Sequence, residues 1–283
     1  MADIMKTAET ISTTELQGIA LSLRKDIITM CHQAGSGHLG GSLSLCEILT
    51  VLYYRVLNID PDIPKDPDRD RMILSKGHGA PALYAVLAEK GYFPKAELAT
   101  LRQVDSRLQG HPVKNKLPGI EITAGSLGMG ISVGIGTVLA ARHSGRSYLT
   151  YVVVGDGELN EGQNWEAFLT AAKYKADEMC IIVDYNKIQL DGRSDDILPL
   201  GSLRGKIESF DCFVIECDGH NIDALLSAVD EARSHKGQPS VILAHTVKGK
   251  GVSFMENDPD WHGKTISDVD CERALAELAG VEF

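Results

Sequence analysis

The 283-residue sequence has no apolar run approaching the roughly 18 residues that a membrane-spanning helix needs, so we expect no membrane span. Its first residues, MADIMKTAETISTTELQ, lack the charged and then apolar pattern of an export signal, and we therefore expect a cytoplasmic protein. Positive charge is also scarce: 28 Lys and Arg stand against 39 Asp and Glu, a formal net charge of −11. An acidic surface argues against nucleic acid or anionic membrane as a partner, although a local pocket can still bind a phosphorylated small molecule.

The six cysteines are scattered and form no C-x-x-C pair, so we expect reduced, buried cysteines. Internal repeats, low-complexity tracts and Pro/Gly/Ser linkers are also lacking. We therefore predict one domain over residues 1–283, with a core at about 13–265 and a C-terminal helical tail at 266–283.

From residue 148 onward, short apolar segments alternate with amphipathic ones. SYLTYVVV, EMCIIVD, CFVIECD and PSVILAHTV are typical of buried strands, whereas EGQNWEAFLTAAKYKA, LGSLRGKIESF and NIDALLSAVDEARSH have helical spacing. RMILS, earlier in the chain, reads as another buried strand. Continuous apolar strands between amphipathic helices predict an α/β fold, with a parallel sheet that carries helices on both faces.

Helix signals are clear before this region as well. Ser12 and Glu15 form a capping-box pattern at the start of a long helix, and Ser44 with Glu47 repeats that pattern before LCEILTVLYYRVL. The glycine-rich segment TAGSLGMG precedes a helix whose small residues predict close packing against a neighbour.

The segment YVVVGDGELNEG raises a question about Asp156, which lies between two glycines. An Asp-Gly turn forms a hairpin when a second alternating strand follows, but a helical pattern follows here. Asp156 is therefore predicted at the end of a parallel strand, the edge where open α/β sheets bind ligands.

The next strand ends at YNKIQLDG, which contains Asn186. Neighbouring parallel strands bring Asp156 and Asn186 to the same edge of the sheet. One carboxylate and one amide oxygen suit Mg²⁺, which takes its remaining ligands from water and substrate phosphates. Gly155 and Gly157 allow the backbone to approach those phosphates closely.

Nine histidines are present, and four of them directly follow a glycine: His38, His78, His111 and His220. A histidine beside a glycine in a loop can present its ring to a ligand, and imidazole exchanges protons near neutral pH. His220 precedes a helical pattern, and we predict a capping role for it.

A GDG motif followed by an asparagine at the next strand end is the diphosphate signature of thiamine-diphosphate enzymes. SGHLGGSLS, LSKGHGAPALY and QGHPVKNKLPGIEITAGSLGMG each resemble a transketolase motif. Over roughly residues 13–265 the chain resembles the N-terminal, diphosphate-binding part of a transketolase. The resemblance implies the thiamine-diphosphate-binding fold, and transfer of a two-carbon ketol unit from a ketose phosphate to an aldose phosphate. It also implies thiamine diphosphate and Mg²⁺, or another divalent cation such as Ca²⁺, as cofactors.

The resemblance assigns roles to individual residues as well. The metal ligands would be Asp156, Asn186 and the backbone carbonyl of Ile188. The catalytic histidines of the substrate channel would be His38, His78, His111 and, from DWHGK, His262. Cofactor contacts would come from His78, Gly125, Ser126, Leu127, Gly155, Asp156, Gly157, Glu158, Asn186 and Ile188. Family members often have proline at the position of Ser126.

Four further positions carry a weaker resemblance. Glu161 and Glu166 match acidic residues that join two active sites across an interface between protomers, and a solvated helix face explains them equally well. Lys248 and Lys250, in TVKGKGVSF, resemble a flexible loop over the site, although surface lysines are common.

The resemblance also implies a missing half. In transketolases, the glutamate that activates the aminopyrimidine and the arginines that bind the sugar phosphate lie in a second domain, and this sequence ends at Phe283. We therefore expect a split transketolase, in which a second subunit carries the pyrimidine-binding domain and the assembly is α₂β₂.

Other functions remain open from the sequence. The chain resembles less closely the α subunit of a 2-oxo-acid dehydrogenase or a deoxyxylulose-phosphate synthase. A nucleotide-binding Rossmann domain would need G-x-G-x-x-G after its first strand, and GMGISVGIG offers only scattered glycines. A non-catalytic scaffold subunit is the third alternative.

Overall fold

The computed structural model of the chain describes residues 11–281 and 283. Residues 1–10 lie outside the described part. The prediction that the chain has no export signal depends mostly on these residues. Within that part, no helix has both the length and the apolar character to cross a membrane.

The centre of the fold is a five-stranded parallel sheet with the strand order β1-β2-β3-β5-β4. Its strands are β1 (Arg71–Leu74), β2 (Thr150–Gly155), β3 (Met179–Tyr185), β4 (Phe213–Asp218) and β5 (Ser240–His245). Almost every residue of β2 and β3 is buried, as expected for strands covered on both faces. The predicted parallel sheet is therefore confirmed.

Ten α-helices connect and cover the strands in the described part. They are α1 (Thr13–Ala34), α2 (Leu39–Leu43), α3 (Cys46–Val51), α4 (Ala80–Glu89), α5 (Gly130–His143), α6 (Gly162–Lys173), α7 (Ser194–Ile197), α8 (Leu203–Glu208), α9 (Ile222–Ser234) and α10 (Asp268–Ala279). One buried cluster joins the sheet to α1, α3, α4, α9 and α10, and a second joins its other face to α5, α6 and α8. All six cysteines are free and five are buried, as predicted.

The first predicted helix start is confirmed, and two other capping predictions are wrong. Ser12 and Glu15 make both hydrogen bonds of a capping box at α1. Ser44 has helical backbone angles at the C-terminal end of α2, so it does not adopt the extended conformation of an N-cap. Helix α9 is capped by the side chain of Asn221, which displaces His220 from that role.

The predicted close packing of α5 is confirmed at Gly134, which lies directly on the sheet. A Cβ atom at Gly134 would lie 2.6 Å from Cγ2 of Val152 and 3.0 Å from the sulfur of Met179. Two residues further along the same helix, Gly136 faces open space. Close packing therefore explains why position 134 is a glycine, but it does not explain the glycine at position 136.

This contrast predicts opposite effects of one substitution on stability. Gly134→Ala should destabilise the fold by about 1–3 kcal/mol, because the added methyl forces the sheet and α5 apart. Gly136→Ala should stabilise it by about 0.5–1 kcal/mol, because alanine lowers the backbone entropy lost on folding. Urea unfolding of the two variants measures both, and equal effects would contradict the packing.

Candidate functional site

The structure brings Asp156 and Asn186 together at the carboxyl edge of the sheet. Gly155, at the end of β2, pairs in register with Asp184 of β3, so the next residues of both strands leave the sheet side by side. The backbone N–H of Lys187 donates to Oδ2 of Asp156 over 2.8 Å. Both predicted ligands are nearly inaccessible, with 2% of Asp156 and 7% of Asn186 exposed.

Burial disfavours the charged form of the Asp156 carboxylate, and a bound cation would stabilise that form. Burial, followed by the nearby carboxylate of Asp184, raises the pKa of Asp156 to about 6. The amide of Asn186 is oriented at both ends: its nitrogen donates to Asp184 over 3.3 Å and its oxygen accepts from the N–H of Ile188 over 3.1 Å. The side-chain oxygens of Asp156 and Asn186 and the backbone carbonyl of Ile188 are hard-oxygen donors that could together hold a cation.

Among the described residues, no three or more His, Cys, Asp or Glu side chains are grouped so as to hold a metal. A donor set of one carboxylate, one amide and one backbone carbonyl falls outside that pattern. It matches Mg²⁺, which is commonly held by one or two carboxylates together with water and phosphate oxygens.

Lys76 and Asp184 form a buried ion pair next to Asn186. Asp184 also accepts hydrogen bonds from the hydroxyls of Ser44 and Thr246. Burial opposes the charge of Asp184, but Lys76 and the two hydroxyls outweigh it and lower the pKa of Asp184. Sequence analysis missed this pair, although Lys76 directly precedes a Gly-His motif and Asp184 lies near the end of a strand.

Glu158 is a predicted cofactor contact, but its carboxylate accepts hydrogen bonds from other residues of the chain. It accepts from the N–H of Gly128 over 2.7 Å, from the N–H of Gly155 over 3.1 Å and from the hydroxyl of Ser75. Burial raises the pKa of Glu158, and these hydrogen bonds together with the charge of Lys76 offset only part of that rise. Its geometry favours support of the glycine-rich segment over direct contact with a ligand.

Residues 125–127, within the glycine-rich segment TAGSLGMG, lie near the end of β1, where a Cβ atom at Gly77 would lie 3.0 Å from the backbone nitrogen of Gly125. The N–H of Ala124 donates to the carbonyl of Pro112, which places the segment next to the His111 loop. The side chain of Gln163 holds the carbonyl of Leu127 over 2.7 Å. Gly125 and Ser126 are exposed, so their backbone is accessible to a ligand.

The four histidines predicted to line one channel form one cluster. The His38 ring lies 5.8 Å from those of His78 and His111 and 5.5 Å from that of His262, and His78 and His262 are 5.1 Å apart. Helix α2 supports them through Gly41, where a Cβ would lie 3.2 Å from the His78 ring.

These rings are held in the neutral state. Burial, followed by Arg102, lowers the pKa of His38 to about 4, and burial, followed by Lys248, lowers that of His262 to about 3. Burial also lowers the pKa of His78 and that of His111. Neutral imidazoles can both donate and accept hydrogen bonds, as recognition of hydroxyl groups requires.

Lys248 is buried, so the interpretation of it as a common surface lysine is wrong. Only 1% of it is exposed. Its ammonium donates to the carbonyls of Ile188 and Gln189 over 3.3 and 3.1 Å, and to Nδ1 of His262 over 2.9 Å. None of these contacts is a carboxylate, and burial, followed by Lys76, lowers the pKa of Lys248 to about 8. Lys250, by contrast, is half-buried and pairs with Glu256.

Glu161 and Glu166 lie on the exposed side of the segment after the GDG motif. Neither forms an ion pair with another described residue. Exposed apolar side chains lie on α5 and α6 and just before α5, among them Met129, Val133 and Leu169.

The family assignment follows from comparison with known proteins. The sequence model of the family "Transketolase, thiamine diphosphate binding domain" matches residues 17–282. The chain is 46% identical over 269 residues to one of the subunits of the apulose-4-phosphate transketolase of Actinobacillus succinogenes, covering 95% of this chain and 97% of that protein. It is 44% identical over 264 residues to SqwG, a 6-deoxy-6-sulfo-D-fructose transketolase subunit of a Clostridium species, covering 93% and 96%.

Solved structures agree with this assignment. Transketolases from Leishmania mexicana and Campylobacter jejuni each superpose with a TM-score of 0.88 at 30% identity and cover 93% of this chain. The chain spans only 41% and 42% of those two proteins. The fold and the match together define a thiamine-diphosphate-binding domain. The chain belongs to the transketolase family, and it is a transketolase subunit.

The neutral histidines predict a loss of stability in acid. Above pH 6.5 His38 is neutral both folded and unfolded, so it contributes nothing to the pH dependence. Below that pH the unfolded chain takes up a proton that the folded chain refuses until about pH 4, so stability falls as pH falls through this window. His38→Asn should remove about 1 kcal/mol of the loss between pH 7 and 5, after discounting for partial exposure.

Urea unfolding at the two pH values measures this difference. His143→Asn, at the exposed end of α5, is the matched control and should leave the loss unchanged. An identical pH dependence in native protein and His38→Asn would contradict the neutral cluster.

Proposed function

We propose that this chain binds thiamine diphosphate through a divalent cation and, with a second subunit, transfers two-carbon ketol units between sugar phosphates. The observation that carries the proposal is the buried ammonium of Lys248, which contacts no carboxylate of the described residues. It lies beside the Ile188 carbonyl that would complete the Asp156 and Asn186 donor set. The carboxylates of Asp156 and Asp184 act on this ammonium without contacting it, and burial still lowers its pKa, so an anionic ligand in direct contact would stabilise the charge.

The metal would be held by Asp156, by the amide oxygen of Asn186 and by the carbonyl of Ile188. Mg²⁺ fits this set, and Ca²⁺, which also takes oxygen ligands, is the alternative. A cation at this position would offset the burial that raises the pKa of Asp156.

The diphosphate would lie between this metal and Lys248. Gly155 and Gly157, on either side of Asp156, let the backbone approach phosphate oxygens. His78 and the exposed segment 125–127 would contact the rest of the cofactor. Glu158 would act indirectly, by fixing Gly128 at the end of that segment.

Thiamine diphosphate held here would supply the nucleophilic carbon that ketol transfer requires. The chain's own part is to bind and to handle protons. His38, His78, His111 and His262 would hold the sugar hydroxyls, and as neutral rings they can accept a proton and return it. Arg102, whose guanidinium lies 3.4 Å from Nδ1 of His38, favours the proton-free form of that nitrogen.

A second subunit would supply the pyrimidine-binding domain and the remaining catalytic groups. The chain would act as one domain with its core at about 13–265, in a cytoplasmic α₂β₂ assembly. Two similar proteins are named as transketolase subunits, and the single-chain transketolases are more than twice as long. The exposed apolar face of α5 and α6, next to Glu161, Glu166 and the 125–127 segment, would contact another chain of the assembly.

The substrates of this chain are proposed only as a class. Similar proteins act, by their names, on apulose 4-phosphate and on 6-deoxy-6-sulfo-D-fructose. For this chain we propose a ketose phosphate donor and an aldose phosphate acceptor. The groups that bind the far end of the sugar would come from the second subunit.

The two lysines of TVKGKG offer a matched test of cofactor binding. Lys248→Met should weaken binding of thiamine diphosphate and Mg²⁺ by roughly 10- to 100-fold, because it removes the cation that faces the diphosphate. Lys250→Met, two residues away, should change it little, because that side chain pairs with Glu256 at the surface.

The measurement is the rise in unfolding midpoint as cofactor is added, since a ligand of the folded state raises it. The proposal would fail if native protein, with its partner present, showed no rise, or if the two variants responded alike.

The proposed partner makes a second prediction. The chain alone should show no ketol-transfer turnover, and activity should appear when a chain carrying the pyrimidine-binding domain is added. Val133→Glu, on the exposed face of α5, should abolish assembly by placing a charge in the contact. Val269→Glu, on α10, should leave it intact, although that valine is even more exposed, at 74% against 36%.

Size-exclusion chromatography with light scattering reports assembly, and coupled turnover reports activity. Full activity of the isolated chain would refute the split site, and an active Val133→Glu assembly would refute the contact surface.

A further inference from the structure

Three largely buried polar side chains from distant parts of the sequence form a connected network that the proposed chemistry does not use. Arg24 of α1 and Glu47 of α3 make an ion pair of 2.6 Å, and only 6% and 8% of these residues are exposed. His220, between β4 and α9, places Nδ1 at 2.9 Å from the same carboxylate. Glu47 and His220 are both residues whose predicted capping roles were wrong.

The network holds the Lys248 loop, residues 246–251, at two points. The backbone N–H of Val247 donates to Nε2 of His220 over 2.8 Å. On the other side of Lys248, the carbonyl of Lys250 accepts from Nε of Arg24 over 3.0 Å. Because Glu47 joins Arg24 to His220, the two attachments form one unit on either side of the buried ammonium.

These contacts fix the tautomer of His220. Its Nε2 accepts from a backbone N–H, so that nitrogen carries no proton. The proton of the neutral ring must therefore lie on Nδ1, where it donates to Glu47. A protonated Nε2 would face the N–H of Val247, and the attachment would be lost.

We propose that His220 is a positioning residue, held by Glu47 and Arg24 as the Nδ1-protonated tautomer, which fixes the Lys248 loop so that its ammonium faces the bound diphosphate. The diphosphate part of this inference rests on the proposed function. The attachment of the loop does not.

The test compares three variants of the full chain. His220→Ala removes both hydrogen bonds. His220→Gln retains one acceptor and one donor with similar spacing and should rescue the loop. His235→Ala is the control, because His235 is also partly buried, stacks on Phe213 and bonds Gln238, but lies outside the network.

Two readouts need no cofactor. Nitrogen-15 NMR of native protein should show an Nδ1-protonated imidazole signal that disappears in His220→Gln. Amide hydrogen exchange in the Lys248 loop should become at least roughly 10-fold faster in His220→Ala and stay near native in His220→Gln and His235→Ala. An Nε2-protonated ring, or unchanged exchange in His220→Ala, would overturn the inference.

The third readout is the affinity for thiamine diphosphate with Mg²⁺, in the presence of the second subunit. His220→Ala should lower it roughly 10-fold, the usual scale for a residue that orients a ligand-binding group, and His220→Gln should restore it. If His220→Ala binds as tightly as native protein, the positioning role is wrong. If native protein does not bind the cofactor at all, the proposed function fails, and the two cofactor-free readouts still decide whether His220 holds the loop.

Discussion

The buried ion pair between Lys76 and Asp184 is the interaction on which the candidate site depends. Asp184, near the end of the central strand β3, receives donors from Lys76, Ser44, Thr246 and Asn186, which lie in four different segments. Loss of either charge would strand the other in the interior, at a typical cost of about 3–5 kcal/mol. The pair therefore anchors the loop after β1, the end of α2 and the strand tips in one arrangement, and it sets the position of Asn186 beside Asp156.

The two buried lysines at this edge of the sheet differ in their partners. Lys76 forms an ion pair with Asp184, whereas the ammonium of Lys248 donates hydrogen bonds only to carbonyls and an imidazole of the described residues. Burial together with these cations lowers the pKa values of His38 and His262. Burial is therefore the main reason that the rings are neutral, and the positive charge nearby adds to it.

Sequence patterns predicted the features that depend on residues close together in the chain, such as strands, helices and the residues that directly follow them. Asp156 and Asn186 follow apolar strands closely, and the parallel sheet then fixes where they lie. His38, His78 and His111 share a Gly-His signal, and His262 came from family resemblance. All four form one cluster, as expected for a common channel, although their catalytic role stays a prediction.

The missed residues depend on contacts between distant segments. Ser44 and Glu47 have the spacing of a capping box, but Ser44 bonds Asp184 and Glu47 bonds His220 far along the chain. Lys248 lies in a glycine-rich segment and looks like a surface lysine until the fold covers it. No periodicity encodes such partners, because they arise only when α1, α2, α3 and the loops after β4 and β5 pack together.

The central claim is that one metal ion joins Asp156 and Asn186 to a diphosphate. Mn²⁺ can replace Mg²⁺ as a paramagnetic probe, and electron–nuclear double resonance then reports phosphorus nuclei in its coordination sphere. With thiamine diphosphate and the second subunit present, the account predicts phosphorus coupling to bound Mn²⁺, and loss of that coupling in Asp156→Ala. Bound Mn²⁺ without phosphorus coupling, or coupling that survives Asp156→Ala, would contradict it.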